Sequence, residues 1–274
     1  MTSIDSRYDS ARRRHSLLEE ASELWRYRDL LALLIARTIK TRYKRSALGV
    51  AWTMLNPLLT MLVLALVFAN LFKSAVVHYP VYLLSGLLLW NFVAQTTTSA
   101  MNEMVWSSSL LRRVYVPRAI FSVAAIGTGL VNLCLALIPL AVVALINGAP
   151  LTPALLFVPV AAALAAIFAL GLGLFLSTLA VYYTDVIDMY QIVLTAWLYL
   201  TPVFYPASIL PPQMTWILRL NPMAYLIECF RAPVYAGQLP SLPTVFSAAL
   251  AAALSLGLGW WAFSRKADEF AYRI

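Results

Sequence analysis

Residues 41–57 read TRYKRSALGVAWTMLNP, and this stretch carries the change in character that decides the fold. Three cations, Arg42, Lys44 and Arg45, stand near its start, and an uncharged, mostly apolar sequence follows them. Lys and Arg at the edge of a long apolar segment are typical of the cytoplasmic end of a transmembrane helix. The stretch therefore predicts that a membrane span begins near residue 52.

The composition of the whole chain also indicates a membrane protein. Its 274 residues are 62% hydrophobic and 12% charged, whereas soluble domains are about 45–50% apolar and about 25% charged. Because a spanning helix needs about 20 apolar residues, we predict an all-α integral membrane protein with six transmembrane helices. The predicted spans are 52–73, 80–101, 119–146, 155–182, 187–204 and 243–264.

The positions of the cations predict the orientation. Six spans put both termini on one side, together with the loop 102–118, and that side carries 17 of the 20 Lys and Arg residues. Cytoplasmic loops are enriched in Lys and Arg, so we predict that both termini are cytoplasmic. The cytoplasmic parts are then an N-terminal segment 1–23 and a tail 265–274, on either side of a transmembrane domain 46–264.

The segment 24–45 predicts an amphipathic helix that lies in the inner headgroup region. At 100° per residue, the polar side chains gather on one side and the apolar ones on the other. The polar sector holds Arg26, Asp29, Arg37, Lys40 and Lys44, and the opposite side holds Leu24, Tyr27, Leu31, Leu34, Ile35 and Thr38. Two interpretations stay open: a surface anchor attracted by anionic lipid, or a gating element beside a substrate entrance.

Residues 203–236 are apolar enough to suggest a seventh span, but five prolines and three charges oppose it. We predict instead a helical hairpin between spans five and six, with two short helices joined at Asn221-Pro222. Asn suits an N-cap and Pro the first helical position. Glu228 and Arg231 are three residues apart and are predicted to pair. The hairpin either re-enters the membrane from outside or lies at the interface against the spans.

The chain lacks the residue patterns of an enzyme or of a proton-driven transporter. Apart from Asp188, at the start of the fifth, the predicted spans contain no carboxylate, and HExxH, GxSxG and acidic metal clusters are absent from the sequence. No glycine precedes a lysine, so there is no GxxxxGK[ST] phosphate-binding loop. We therefore predict no catalytic residue, no metal site and no cofactor in this chain, and a separate polypeptide as the energy source for any active transport.

The predicted docking site for such a polypeptide is the loop 102–118, with the sequence NEMVWSSSLLRRVYVPR. Its apolar side chains Trp106, Leu110, Leu111 and Val114 can form one face of a short helix. Its arginines, Arg112, Arg113 and Arg118, are also explained by the enrichment of cations in cytoplasmic loops alone.

Four stretches carry a family resemblance: RTIKTRYKRSALGVAWTMLNP, LLLWNFVAQTTTSAMNEMVWSSSLLRRVYVPRAIF, YYTDVIDMYQIVLTAWLYLTPVFYP and NPMAYLIECFR. In this order the chain resembles ABC-2-type transporter permeases from about residue 24 to 264. It is most similar to the branch that exports lipid-linked polysaccharide, namely O-antigen, capsule and teichoic acid. Lipopolysaccharide biosynthesis in a bacterial inner membrane is the context that this branch implies.

The resemblance implies a half-transporter that acts as a homodimer with two ATPase subunits, which bind the ATP and Mg²⁺. It implies an inner gate helix at 24–45, a coupling helix in 102–118 and a re-entrant outer gate at 206–236. The coupling residues would be Trp106, Leu110, Leu111, Arg112, Arg113, Tyr115 and Arg118. The lipid-headgroup residues would be Arg37, Lys40, Arg42, Lys44 and Arg45. The implied ligands are membrane lipids and lipid-linked glycan, and not nucleic acid.

Aromatic side chains in the spans are candidates for contact with the glycan, since the C–H faces of sugar rings stack on aromatic planes. The candidates are Trp90, Phe92, Tyr199 and Phe204. The same residue types also form the aromatic belts at membrane interfaces.

Two other functions stay open at this stage. One is an ABC-2 exporter of drugs or small lipids. The other is a lipid-dependent membrane glycosyltransferase, which the absence of paired acidic residues disfavours. A neighbouring coding sequence for an ATPase would separate the transporters from the enzyme.

Overall fold

The structure is a computed structural model that describes residues 25–44, 48–72, 76–106, 117–209, 211, 213 and 215–266. Within these ranges the regular elements are helices, which agrees with the predicted all-α class, and no strand occurs. The principal helices are α1 (Arg28–Tyr43), α2 (Ala51–Phe72), α3 (Tyr79–Trp106), α4 (Ala119–Ile146), α5 (Val158–Tyr182), α6 (Val186–Leu200), α7 (Thr215–Leu220), α8 (Pro222–Arg231) and α9 (Leu242–Lys266). A 3₁₀ segment, Pro153–Phe157, leads into α5, and a π-helical turn, Ala232–Ala236, follows α8.

Among the described residues, four helical segments are both long and apolar enough to cross a membrane. They are Ala51–Phe68 of α2, all of α4, Pro153–Tyr182, which joins the 3₁₀ segment to α5, and all of α9. Two further predicted spans also form helices: α3 has 28 residues but a polar second half, and α6 is apolar but has only 15 residues. The count of six spans therefore stays a prediction.

Helix α3 lies at the centre of the bundle, where it contacts α2, α4, α5, α6 and α8. Every residue from 81 to 90 in α3 is buried. The second half of α3 carries polar side chains, such as the half-buried Asn91 and the exposed Gln95. The helix also continues to Trp106, five residues beyond the predicted end at 101.

Helices α5 and α9 form the most extensive helix pair, and glycines bring their backbones together. A Cβ atom at Gly259 would overlap the carbonyl oxygen of Gly171, and one at Gly171 would overlap the backbone at Ser255 and Leu256. The Ser255 hydroxyl donates a hydrogen bond of 2.8 Å to the carbonyl of Phe168. Small residues of this kind let helices approach closely in a bilayer, where packing and hydrogen bonds drive association.

Helix α1 packs across one end of the bundle. Its half-buried side chains Tyr27, Leu30, Leu31 and Leu34 contact a cluster of Met104, Ala119, Ile120, Phe121, Leu174 and Phe263. This cluster joins the end of α3, the start of α4 and the last turns of α9. A Cβ atom at Gly127 would lie 2.5 Å from Ile35 Cδ1, so α1 and α4 approach closely. Arg37 and Lys40 of α1 are exposed.

The chain stops being helical before the predicted end of span five. Helix α6 ends at Leu200, and Thr201 takes an extended conformation, with φ −106° and ψ 135°. The next residue is Pro202, whose ring disfavours helical geometry in the residue before it. For this reason the helix ends four residues before residue 204, the predicted end of the span.

Candidate functional site

A polar cavity of about 140 Å³ lies among α1, α2, α3 and α4. Helix α3 supplies the largest share of its wall. The polar side chains that line it are Thr38, Thr53, Asn56, Asn91, Gln95, Thr96, Ser99, Glu103, Thr128 and Asn132. So many amides and hydroxyls in one place are unusual for helices that face lipid, because unpaired polar groups are costly to bury.

Asn132 on α4 carries an unsatisfied atom in this wall. Its side-chain oxygen Oδ1 is buried and has no hydrogen-bond partner in the structure. A buried acceptor without a partner costs about 1–3 kcal/mol, so such an atom is usually paired with water or a ligand.

Glu103 is the acidic residue of the wall, and it lies two residues beyond the predicted span 80–101. Its side chain is half-buried, and within the described ranges it has no ion-pair partner. The protonated carboxyl can donate a hydrogen bond, and the carboxylate can accept several.

A second polar arrangement holds the non-helical segment 201–205 after α6. The Arg231 side chain is 3% exposed, and its two terminal nitrogens donate to the carbonyls of Pro202 and Val203, each at 3.0 Å. The guanidinium lies 3.7 Å from the ring centre of Tyr82. A Cβ atom at Gly86 would overlap this guanidinium, so glycine makes room for it.

This arrangement overturns the predicted Glu228–Arg231 pair. Arg231 forms no salt bridge with the exposed Glu228 and instead donates to the carbonyls of Pro202 and Val203, just after α6. Those carbonyls are buried and need donors, and Pro202 cannot supply a backbone N–H. Sequence spacing could not reveal this, since the partners lie 28 and 29 residues before Arg231.

Asn221 ties the hairpin to α6 and confirms the predicted break between two short helices. Its Oδ1 accepts hydrogen bonds from the Met223 backbone N–H at 3.1 Å and from the Trp197 indole at 2.9 Å. Its Nδ2 donates to the hydroxyl of Thr201 at 2.9 Å. The residue is thus the predicted N-cap of α8 and also a link to the end of α6.

Tyrosines of α3 complete the support of this segment. The Tyr79 hydroxyl donates to the carbonyl of Phe204 at 2.8 Å, and the Tyr82 hydroxyl donates to that of Tyr205 at 3.0 Å. The segment 201–205 is therefore held from α3 and α8 together, and its geometry depends on both.

The four predicted glycan aromatics fall into three environments. Phe204 contacts Phe68, Tyr199 and Tyr205, with ring centres 5.5–6.2 Å apart. Tyr199 is 62% exposed, whereas Trp90 and Phe92 are each 5% exposed. Trp90 packs edge-on against Trp197 at 5.8 Å, and Phe92 lines the polar cavity. The structure therefore joins Tyr199 to Phe204 and separates both from the other two.

The predicted coupling and headgroup residues lie at the α1 end of the bundle as far as they are described. Trp106 is 80% exposed at the end of α3, and Arg118 immediately precedes α4. Arg37, Lys40 and Lys44 are exposed on or just after α1. Predicted residues outside the described part are Leu110, Leu111, Arg112, Arg113, Tyr115 and Arg45, and of Arg42 only the backbone is described.

Comparison with known proteins identifies the family. Residues 29–235 match the family described as ABC-2 type transporter, and the chain belongs to that family. It is thus a subunit of a transport system rather than an enzyme, and a multi-pass membrane protein.

Several relatives have a more specific name. The chain is 31% identical to the O-antigen export system permease protein RfbA of Myxococcus xanthus, over 92% of this chain and 98% of that protein. It is 29% identical to the RfbA protein of Klebsiella pneumoniae, over 74% of this chain and 79% of that protein. It is 26% identical to the capsule polysaccharide export inner-membrane protein CtrC of Neisseria meningitidis, over 74% and 78%. The predicted resemblance to the polysaccharide-exporting branch is confirmed.

Proposed function

We propose that this chain is the permease subunit of an ABC transporter that exports a lipid-linked polysaccharide, of the O-antigen or capsule type, across the cytoplasmic membrane. The observation that carries the proposal is its similarity, over nearly its whole length, to an O-antigen export permease. A separate ATPase supplies the energy, since the sequence has no phosphate-binding loop of the GxxxxGK[ST] type.

The test is reconstitution with and without the cognate ABC ATPase. The purified chain alone is expected to hydrolyse no more ATP than a mock preparation, and the complex is expected to hydrolyse ATP. In cells, deletion of this chain should remove surface polysaccharide while lipid-linked polysaccharide accumulates inside. Unchanged surface polysaccharide after the deletion would refute the proposed function.

We propose six spans, formed by α2 to α6 and α9. At about 1.5 Å per residue, α3 is about 42 Å long and α6 about 22 Å. The short α6 is compatible with a span because the segment after it has its carbonyls paired by Arg231 and the tyrosines of α3. Irregular backbone at membrane depth is tolerated where protein covers it in this way.

We propose that both termini are cytoplasmic. The Lys266 ammonium at the end of α9 lies 5.5 Å from the ring of Tyr182 at the end of α5, so these two ends share one face. Arg118, Arg265 and Lys266 lie at the same end as α1. This clustering of cations supports the orientation that positive loops predict.

A second copy of the chain is proposed to cover α2 and α6. Five aliphatic side chains of α2 are 50–73% exposed: Leu59, Leu62, Val63, Leu66 and Val67. The exposed side of α6 is also apolar, and Phe68 of α2 contacts Phe204 after α6. A homodimer would bring two such surfaces together and place a path for substrate between them.

The loop 102–118 is proposed to hold the coupling helix. Replacement of both Leu110 and Leu111 by Asp should abolish export and the ATPase activity that depends on assembly, because each Asp brings an unpaired charge into an apolar contact. The measurement is co-purification of the ATPase together with surface polysaccharide. Replacement of both residues by Met is the matched control, and normal assembly of the Asp variant would contradict the placement.

Helix α1 is proposed to guide the anionic headgroup of the substrate. Replacement of Arg37 and Lys40 by Gln removes two exposed cations, each of which contributes about 1 kcal/mol of attraction to anionic lipid. Export per inserted transporter should fall sharply, while Arg42, Lys44 and Arg45 preserve the topology. Wild-type export in this variant would leave α1 as a membrane anchor.

A further inference from the structure

We propose that the polar cavity among α1, α2, α3 and α4 binds one uncharged sugar unit of the exported polysaccharide. The inference rests on the proposed function and assigns a binding site for its substrate. It concerns a site within one protomer, apart from the exposed surfaces of α2 and α6.

The hydrogen-bonding groups of the wall favour a ligand that is rich in hydroxyls. Asn91, Gln95 and Asn132 each offer both donors and acceptors, and Ser99 offers a hydroxyl. The buried Oδ1 of Asn132 has no partner and needs a donor. A sugar hydroxyl both donates and accepts, so neighbouring hydroxyls on one ring can satisfy several of these groups at once.

The charge of the wall disfavours an anionic ligand. Its described side chains include the acid Glu103 and no cation. A phosphate or diphosphate in the cavity would lie near a carboxyl, with no cation among the described side chains of the wall to offset the repulsion. A neutral sugar unit meets no such penalty, and the carboxyl can accept from its hydroxyls.

The size and the aromatic side chains of the cavity fit a single ring. Its volume of about 140 Å³ is below the roughly 300–1,000 Å³ of sites for drug-sized ligands. Phe92 lines the cavity from α3 and Trp52 lines it from α2, and these aromatic planes can contact the C–H face of a sugar. Trp52 is 51% exposed, so it borders both the cavity and its surroundings.

The test is photo-cross-linking in the intact complex of permease and ATPase. The photoreactive residue p-benzoylphenylalanine replaces Trp52, and in a separate control it replaces Leu254, an exposed residue of α9. The probe is tritium-labelled polysaccharide that is released by mild acid from the surface of the same strain. We expect label on the protein at position 52 and none above background at position 254, and unlabelled polysaccharide should compete.

Substitutions in the cavity test whether the polar wall holds the probe. Asn132→Leu should lower labelling at position 52 about fivefold, the effect of one lost hydrogen bond, and the double variant with Asn91→Leu about twentyfold. The matched control is Asn147→Leu at the C-cap of the same helix, since Asn147 bonds the Val143 carbonyl and lies outside the cavity. Ser99→Ala is a milder second variant, should Asn132→Leu fail to assemble.

The outcomes separate this inference from the proposed function. Equal labelling at positions 52 and 254, or labelling unaffected by the cavity substitutions, would overturn the inference, and a cavity that holds only water would give this result. If export still requires the chain in that case, the proposed function stands. Loss of surface polysaccharide in the Asn91→Leu, Asn132→Leu variant, with normal assembly and with Asn147→Leu unaffected, would support both.

Discussion

Replacement of Gly259 by Leu is expected to prevent the protein from assembling, whereas the same replacement at Gly257 is expected to be tolerated. A Cβ atom at Gly259 would overlap the Gly171 carbonyl oxygen, while one at Gly257 would have nothing within 4 Å. The obstacle at Gly259 is backbone, which cannot rotate aside as a side chain can. Overpacking of a tight contact costs typically 1–3 kcal/mol and occasionally more, and here the two helices would also have to separate.

The pair of variants isolates the helix crossing. Both changes convert Gly to Leu in α9 and improve helix propensity by a similar amount, so a difference between them reports the contact with α5. The measurement is the fraction of detergent-solubilised protein that runs as a single peak in size-exclusion chromatography. Equal recovery of both variants would show that α5 and α9 do not cross at these glycines.

Replacement of Arg231 by Met is expected to destabilise the hairpin of α7 and α8 and to stop export. The variant loses two charge-assisted hydrogen bonds and leaves the carbonyls of Pro202 and Val203 buried without those donors. Hydrogen bonds to charged groups contribute about 1.5–3 kcal/mol each, so we expect a loss of about 3 kcal/mol or more. The segment 201–205 should then lose its fixed geometry, together with the contacts of Phe204.

Arg219→Met is the matched control, since Arg219 belongs to the same hairpin but is exposed. Arg231→Lys should give an intermediate result, because an ammonium lacks the fork that reaches both carbonyls. The measurements are the melting temperature in detergent and surface polysaccharide per inserted transporter. If Arg231→Met melts at the same temperature as Arg219→Met, the role assigned to the buried guanidinium is wrong.

The hairpin of α7 and α8 shows which features local sequence patterns can predict and which they cannot. The break at Asn221-Pro222 was predictable because capping depends on residues within one helical turn. The partner of Arg231 was not, because it depends on where α6 ends and on the space that Gly86 leaves. Spacing along one helix suggested Glu228 as the partner of Arg231. In the structure Arg231 instead donates to the carbonyls of Pro202 and Val203, which are buried and require a donor.

The candidate site was likewise only partly predictable from the sequence. Each polar residue of the cavity was visible in the sequence, but Asn91 and Asn132 lie 41 positions apart on different helices, and no local pattern joins them. Their polar character inside apolar segments was the available signal. Polar residues in spans are rare and tend to face the bundle interior, so they could have been listed as a group before their positions were known.

The sequence by itself determined the class of protein. The lengths of the uncharged segments decide which of them can span a bilayer, and the positions of the cations decide which loops stay cytoplasmic. It also determined the helices and most of their ends, which depend on local proline, asparagine and glycine chemistry. Only the tertiary structure decided that α3 lies at the centre, that α5 and α9 cross at two glycines, and that amides from separate helices share one cavity. These features depend on which helix faces meet, and in a mostly apolar bundle many faces have similar hydrophobicity, so shape and buried hydrogen bonds select among them.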